Sequence, residues 1–348
     1  LNRQFPALRG IAIFLVVINH SITLGMNAAR QAGISIPVWE RYLLVTIKEI
    51  GIFAVPIFLF LAGSFFVYAA QGKSISIAYR SIVFSNLIHI LLPYIIWSSA
   101  FYIMEYFLFG KTEDVIGYAK NLLVGYPNNF VPLLIFFTLL SPILIWAVRK
   151  SPWVVLVVVF AYQLLLISIL RPDFLGVTYP AWVNLFAPPV IRLPLAIWAI
   201  FYPMGIVYAL FTEPILTTAR RWLMPLALVT LLLYSIAVLT QLGIIQVLLA
   251  EILVPAFAIP LALLLNRNSI PFVRRFEKLG KRSYGLYLMN LIVINLLIAL
   301  TGWIFPFLMT VQTINAALMA TITLSVPVLL MDWTERKAGR NGYRLLFG

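Results

Sequence analysis

Ten stretches of roughly twenty mostly apolar residues follow one another along this chain, and they constrain its fold more than any other feature. Windows of eighteen or more such residues are long enough to cross a bilayer as helices, and they fall at 8–27, 51–71, 81–108, 129–148, 153–171, 190–211, 223–242, 244–266, 284–305 and 308–331. Backbone polar groups in hydrocarbon must be satisfied within the segment, which leaves helices as the element for runs of this length. Only 10% of the 348 residues are charged and 63% are hydrophobic, whereas about 25% charge is usual for a soluble domain. The expected architecture is an all-α, polytopic transmembrane bundle of about ten spans. It forms a single membrane domain over 1–348 with no appended soluble domain.

The net charge of +14 does not point to nucleic acid, because the cations sit in short loops between spans. With the N-terminus inside, 18 of the 25 basic residues fall on inner loops and tails and seven on the outer side. This satisfies the positive-inside rule with both termini cytoplasmic. The polar stretches 28–50, 109–128, 171–189, 267–283 and the tail from Asp332 are loop-sized. Cysteine is absent, which excludes thiolate nucleophiles and cysteine metal sites. Seven prolines in or near spans (Pro93, Pro132, Pro142, Pro203, Pro255, Pro260 and Pro327) read as ordinary kinks. The basic run RRFEKLGKRS (274–283) reads as an inner anchor or as a site for an anionic cofactor.

Polar groups inside the spans narrow the chemistry. Arg9 and His20 are eleven residues apart in the first span. Eleven steps of ~100° bring both onto one helix face, about 16 Å apart along the axis. A cation near the membrane edge aligned with an imidazole deeper in suggests a ligand with a charged head and a long arm. Ionisable residues in hydrocarbon are functional candidates by default, and imidazole suits proton transfer to and from a hydroxyl. His89, the other histidine, has Asn86 one turn before it as a candidate hydrogen-bond partner. Two histidines with no third ligand do not make a metal site, so no metal is expected. Glu251 reads as lying about 10 Å into the eighth span by helix rise. It either orients a histidine or substrate hydroxyl, or pairs with a neighbouring helix. Glu105 reads as a solvated residue near the interface. No phosphate loop, nucleophile elbow or zinc-protease helix occurs.

Five segments in order resemble the bacterial acyltransferase family 3, integral-membrane O-acyltransferases that modify cell-surface sugars. They are ALRGIAIFLVVINH (7–20), with its basic residue, ten residues and histidine; VPIFLFLAGSFF (55–66); ILLPYIIWS (90–98); FYPMGIVYAL (201–210); and LGKRSYGLYLMN (279–290). The resemblance implies His20 as catalytic base and Arg9 as an essential partner that holds or orders an acyl-CoA donor, with acetyl-CoA favoured. Phosphates of the donor would lie near Arg9, Arg80 and the inner basic loops, and Asn86 and His89 occupy the place of an Arg-x-x-Arg pair found in many members. Tyr284 and Asn290 lie in the ninth-span signature, with Asn290 where the family usually has histidine. Glu251, Tyr284 and Asn290 are expected as supporting residues. The implied acceptor is a carbohydrate or lipid-linked sugar of the cell envelope, and the implied location is the cytoplasmic membrane. Two rivals remain at this level: a transporter or flippase of a lipid-linked sugar or acyl carrier, and a non-catalytic family member in an envelope assembly.

Overall fold

The computed structural model describes residues 4–71, 82–172, 177 and 179–348. Among them the fold is helical without strands. Fifteen α-helices of seven or more residues run in the order α1 Phe5–Gln31, α2 Val38–Glu49, α3 Ala54–Ala70, α4 Phe84–Phe109, α5 Val115–Val124, α6 Phe130–Lys150, α7 Pro152–Leu170, α8 Arg192–Trp198, α9 Phe201–Leu210, α10 Thr212–Arg221, α11 Leu223–Gln241, α12 Leu248–Leu264, α13 Val273–Lys281, α14 Ser283–Ile304 and α15 Gln312–Phe347. Eight segments are long and apolar enough to span a membrane, or nine with the bent pair α8–α9. The eighth expected span, 244–266, corresponds to α12, a shorter apolar helix of 17 residues.

The bend has a local cause. α8 and α9 meet at 47° across Ala199 and Ile200, four and three residues before Pro203. A proline has no N–H for the carbonyl four residues back, and its ring crowds that carbonyl. This proline breaks its span. Pro93, Pro142, Pro255, Pro260 and Pro327 sit inside continuous helices.

Several stretches read as loops from polarity alone are helical. Val38–Ala70 forms one apolar span-length unit through a short 3-10 turn at Ile50–Phe53. α5 lies within 109–128, and the basic run at 274–283 forms α13. Helix continues past Asp332 to Phe347, interrupted at Gly339, whose φ of 66° turns the last residues back toward the bundle. There Phe347 is buried and stacks on Trp97 at 5.8 Å, and the Trp97 indole N–H donates to the Leu346 carbonyl at 2.7 Å.

Small residues set the tightest helix contacts, as expected where packing rather than water drives association. Gly63 on α3 lies against the Tyr202 carbonyl, and Gly205 on α9 lies against the Phe60 carbonyl, so a Cβ at either site would meet backbone. Ser64 Oγ donates to the Gly205 carbonyl at 2.9 Å across the same interface. Gly10 and Gly280 repeat the arrangement between α1 and α13, against the Phe276 and Pro6 carbonyls. In α11, by contrast, only 11% of the apolar window is buried, as suits a helix facing lipid. The core gathers on α1, α3, α6, α9 and α14, around fully buried Phe5, Leu59, Leu133, Tyr202 and Leu286.

Candidate active site

α1 and α14 run parallel, and two hydrogen bonds tie them. Arg9 Nη2 donates to Ser283 Oγ at 2.9 Å, with its guanidinium 6.0 Å from the Phe65 ring centre. Two turns further along, His20 Nδ1 lies 2.7 Å from Asn290 Oδ1. Asn290 is fully buried, and its Nδ2 donates to the Tyr287 carbonyl. That second bond fixes which end of the amide faces His20: Oδ1 can only accept, so Nδ1 carries the proton and Nε2 keeps its lone pair. Asn290 thus holds the imidazole in the form a general base needs.

At the Arg9 end lies a cavity of about 390 Å³ bordered by Arg9, Asn86, His89, Ser283 and Tyr284, with Phe58, Phe65 and Phe66 on its apolar side. Asn86 and His89 share this cavity without a hydrogen bond between their side chains. The Tyr284 hydroxyl is spent on the Ile90 carbonyl at 2.6 Å. Arg80 lies outside the described residues. Helix α13 docks at this end through its Phe276–Gly280 face, by the Gly10–Gly280 contact, and leaves Arg274, Arg275, Lys278 and Lys281 exposed. Part of that charge is compensated. Arg267 Nε and Nη2 donate to Glu277 at 2.5 and 2.8 Å, and the arginine holds that carboxyl below its ordinary range. Arg282 pairs with Asp332 and Glu335, and Lys278 with Asp332. Arg274, Arg275 and Lys281 have no ion pair among the described residues.

At the His20 end a second cavity, of about 380 Å³, brings together His20, Asn19, Glu49, Glu251, Trp198 and Phe201. A polar chain crosses it: Lys48 Nζ reaches Glu49 Oε1 and Gln241 Oε1, each at 3.1 Å, and Gln241 Nε2 donates to Glu251 Oε1 at 2.7 Å. Glu251 is shallower than its sequence position suggests. α12 begins at Leu248 rather than 244, so this carboxylate stands in the first helical turn. It pairs with α11 and shares the cavity with His20, but makes no hydrogen bond to the imidazole. Glu105 also differs from expectation. It is 7% exposed rather than solvated, because α4 ends beside the α5 loop, where Lys111 Nζ and the Tyr126 hydroxyl donate to it at 2.6 and 2.7 Å. The carboxylate raises the Lys111 ammonium above its ordinary value.

Sequence reasoning missed the wall between the cavities. Phe130 and Tyr287 border both. Their rings meet edge to face at 5.6 Å, and the Phe130 backbone N–H donates to the Tyr287 hydroxyl at 3.4 Å. Tyr287 had a legible signal: Ser283, Tyr287 and Asn290 repeat at i, i+4 and i+7, one polar stripe on an apolar helix. Phe130 had none, being one of 25 phenylalanines. Trp39 and Trp182, in the polar stretches 28–50 and 171–189, are 64% and 61% exposed and border neither cavity.

The two cavities set the Arg9 cation and the half-buried His20 imidazole on either side of one wall, an arrangement suited to passing a group between ligands on opposite sides of it. Among the described residues no three histidine or acidic side chains cluster as metal ligands. Residues 2–331 match the family model for acyltransferase family 3, described as an acyltransferase domain. No curated protein and no solved structure matches the chain. The chain belongs to acyltransferase family 3 and is a multi-pass membrane acyltransferase.

Proposed function

We propose that the enzyme moves an acyl group, acetyl in the first instance, from cytoplasmic acyl-CoA to a hydroxyl of a cell-envelope carbohydrate or lipid-linked sugar, in the cytoplasmic membrane. The observation that carries this reading is the pair of cavities either side of Phe130 and Tyr287, one holding Arg9 and the other His20. An acyl-CoA has an anionic head and a long neutral arm. Its phosphates suit Arg9 and the unpaired cations of α13, while the arm follows the aromatic wall toward His20. Asn86, His89 and Tyr284 border the same cavity and give the arm polar contacts. Arg80 belongs to this donor set by resemblance.

The acceptor occupies the His20 cavity. Glu49, Glu251 and Gln241 accept from or donate to sugar hydroxyls, and Trp198 offers a flat apolar face to a sugar ring. His20 Nε2 takes the hydroxyl proton as the oxygen attacks the thioester carbonyl. The C–S bond then breaks, and the imidazolium returns the proton to the leaving thiolate. Holding both reactants on one wall makes the step effectively unimolecular.

The test uses purified protein in nanodiscs with radiolabelled acetyl-CoA and an envelope glycan extract. Wild type transfers label into glycan ester and releases free CoA. His20→Ala abolishes transfer at unchanged expression and melting temperature. Retained transfer in His20→Ala removes the histidine from the mechanism, and wild-type protein that releases no thiol overturns the reading.

A further inference from the structure

If the donor is anchored at Arg9 and the acceptor is activated at His20, the reacting carbonyl must lie where the two cavities meet. Two residues border both sides, Phe130 and Tyr287, buried to 6% and 8% exposure. The Phe130 side chain has no hydrogen-bonding group, and its backbone N–H is already given to the Tyr287 hydroxyl. Tyr287 therefore supplies the side-chain donor of the partition. Its oxygen accepts one hydrogen bond, and among the described residues no acceptor takes its own hydrogen. Accepting from Phe130 polarises the phenol and strengthens its donation. Three nearby donors are already committed, Asn290 Nδ2 to the Tyr287 carbonyl, Asn19 Nδ2 to the Lys48 carbonyl, and Lys48 Nζ to Glu49 and Gln241. Asn129 and Trp198 border the His20 cavity but not the Arg9 cavity.

We propose that the Tyr287 hydroxyl is a catalytic residue that donates a hydrogen bond to the thioester carbonyl oxygen and stabilises the oxyanion formed there. This rests on the acyl-CoA reading above. As the acceptor oxygen adds to the carbonyl carbon, the π electrons move onto the carbonyl oxygen, and Tyr287 holds that charge without giving up its proton. When the tetrahedral centre collapses the electrons return, the C–S bond breaks, and the thiolate takes the proton carried by His20. The products are the ester and free CoA. Asn290 couples the two groups: it holds His20 of α1 through Oδ1 and the Tyr287 backbone through Nδ2, so the partner of the base and the oxyanion donor share one turn of α14. Preorganised donors aimed at developing charge are commonly the largest single contribution to acyl-transfer rates.

Tyr287→Phe keeps the ring and its edge-to-face contact with Phe130 and removes the O–H, together with the long 3.4 Å bond it accepts from the Phe130 N–H. We expect kcat to fall about 10²- to 10³-fold, with the KM for acetyl-CoA and the melting temperature close to wild type. A kcat within threefold of wild type overturns the assignment, because a packing role predicts that result. If Tyr287→Phe does not purify folded, 3,5-difluorotyrosine at position 287 retains the hydroxyl but ionises more readily. A donor that must keep its proton then brings the basic limb of the kcat profile to lower pH, and an unmoved limb overturns the proposal. Wild type that releases no CoA thiol sinks the acyl-CoA reading itself. Wild-type turnover with an undiminished Tyr287→Phe sinks only the role of Tyr287.

Discussion

Replacing Asn290 by leucine tests whether the hydrogen bond to His20 governs the chemistry. Leucine has the same four-heavy-atom, γ-branched outline as asparagine, so the fully buried site stays filled, its bulkier methyls adding some overpacking, while both amide bonds disappear. On the α14 side little is lost, because the Tyr287 carbonyl retains its place in the helical ladder. On the α1 side the Nδ1–H of His20 loses the acceptor 2.7 Å away. Leaving a buried donor unpaired costs about 1–3 kcal/mol. If that cost falls wholly on the transition state, it slows turnover roughly 5- to 150-fold, at 1.36 kcal/mol per decade. Loss of the tautomer lock adds to it, which places the expected fall in kcat near the upper end, about 100-fold. The donor KM should hold, since Arg9 is tied to Ser283, two helical turns from the change. Release of CoA thiol can be followed with a thiol-reactive dye. The protein has no cysteine, so every thiol detected comes from the donor. A kcat within threefold of wild type, or a defect confined to KM, refutes the positioning argument.

Two further outcomes test the scaffold. Gly205→Val places side-chain carbons against the Phe60 carbonyl and forces α9 from α3. The loss should be at least the 1–3 kcal/mol typical of overpacking, seen as a lower melting temperature in detergent, and an unchanged melt would show that this contact is slack. The Arg267–Glu277 pair makes a pH-dependent contribution. The Glu277 carboxyl is held below its ordinary range by the Arg267 hydrogen bonds, so the contribution is full above the unfolded value of about 4.3 and is lost as pH falls through the lower folded value. The melting difference between wild type and Glu277→Gln should therefore be largest near neutral pH and close in acid. A difference as large at pH 3 as at pH 7 would contradict the ion pair.

How far the sequence carries the fold depends on what each signal measures. Apolar length located most spans because bilayer thickness acts on composition alone: eight windows fall on span-length helices, a ninth on the bent pair α8–α9, and 244–266 on the shorter α12. It failed where polarity stood in for structure. Val38–Glu49 and Val273–Lys281 are polar enough to read as loops, yet they are helices fixed by tertiary contact, α13 through the close approach of Gly10 and Gly280. Pro203 looked like its neighbours because sequence cannot tell a tolerated kink from a break. Glu105 read as solvated because Lys111 and Tyr126, its partners, arrive from a loop whose path no local rule predicts. In the site, the Arg9–His20 spacing was legible because one helix sets it. Asn290 stood out as a departure from the resemblance, and only its contacts with His20 and Tyr287 give that departure a physical meaning.

The spacing between Arg9 and His20 is shared between two helices. Along α1, Arg9 and His20 are eleven residues apart, about 16 Å by helix rise. Their partners on α14, Ser283 and Asn290, are seven residues apart, about 10 Å. Side-chain reach must absorb the difference: the long Arg9 side chain slants along the interface to Ser283, whereas His20 meets Asn290 directly. The short, stiff contact thus sits at the chemical end and the flexible one at the binding end. A small slide of α1 against α14 would be taken up by arginine rotamers while straining the His20–Asn290 bond. On the proposed donor reading, heads of somewhat different geometry are held at Arg9 without disturbing the His20–Asn290 contact. The Gly10–Gly280 contact limits that slide, because two backbones in van der Waals contact leave no side chain to yield. On this argument the glycine pair, which touches neither cavity, sets the register on which the His20–Asn290 contact depends.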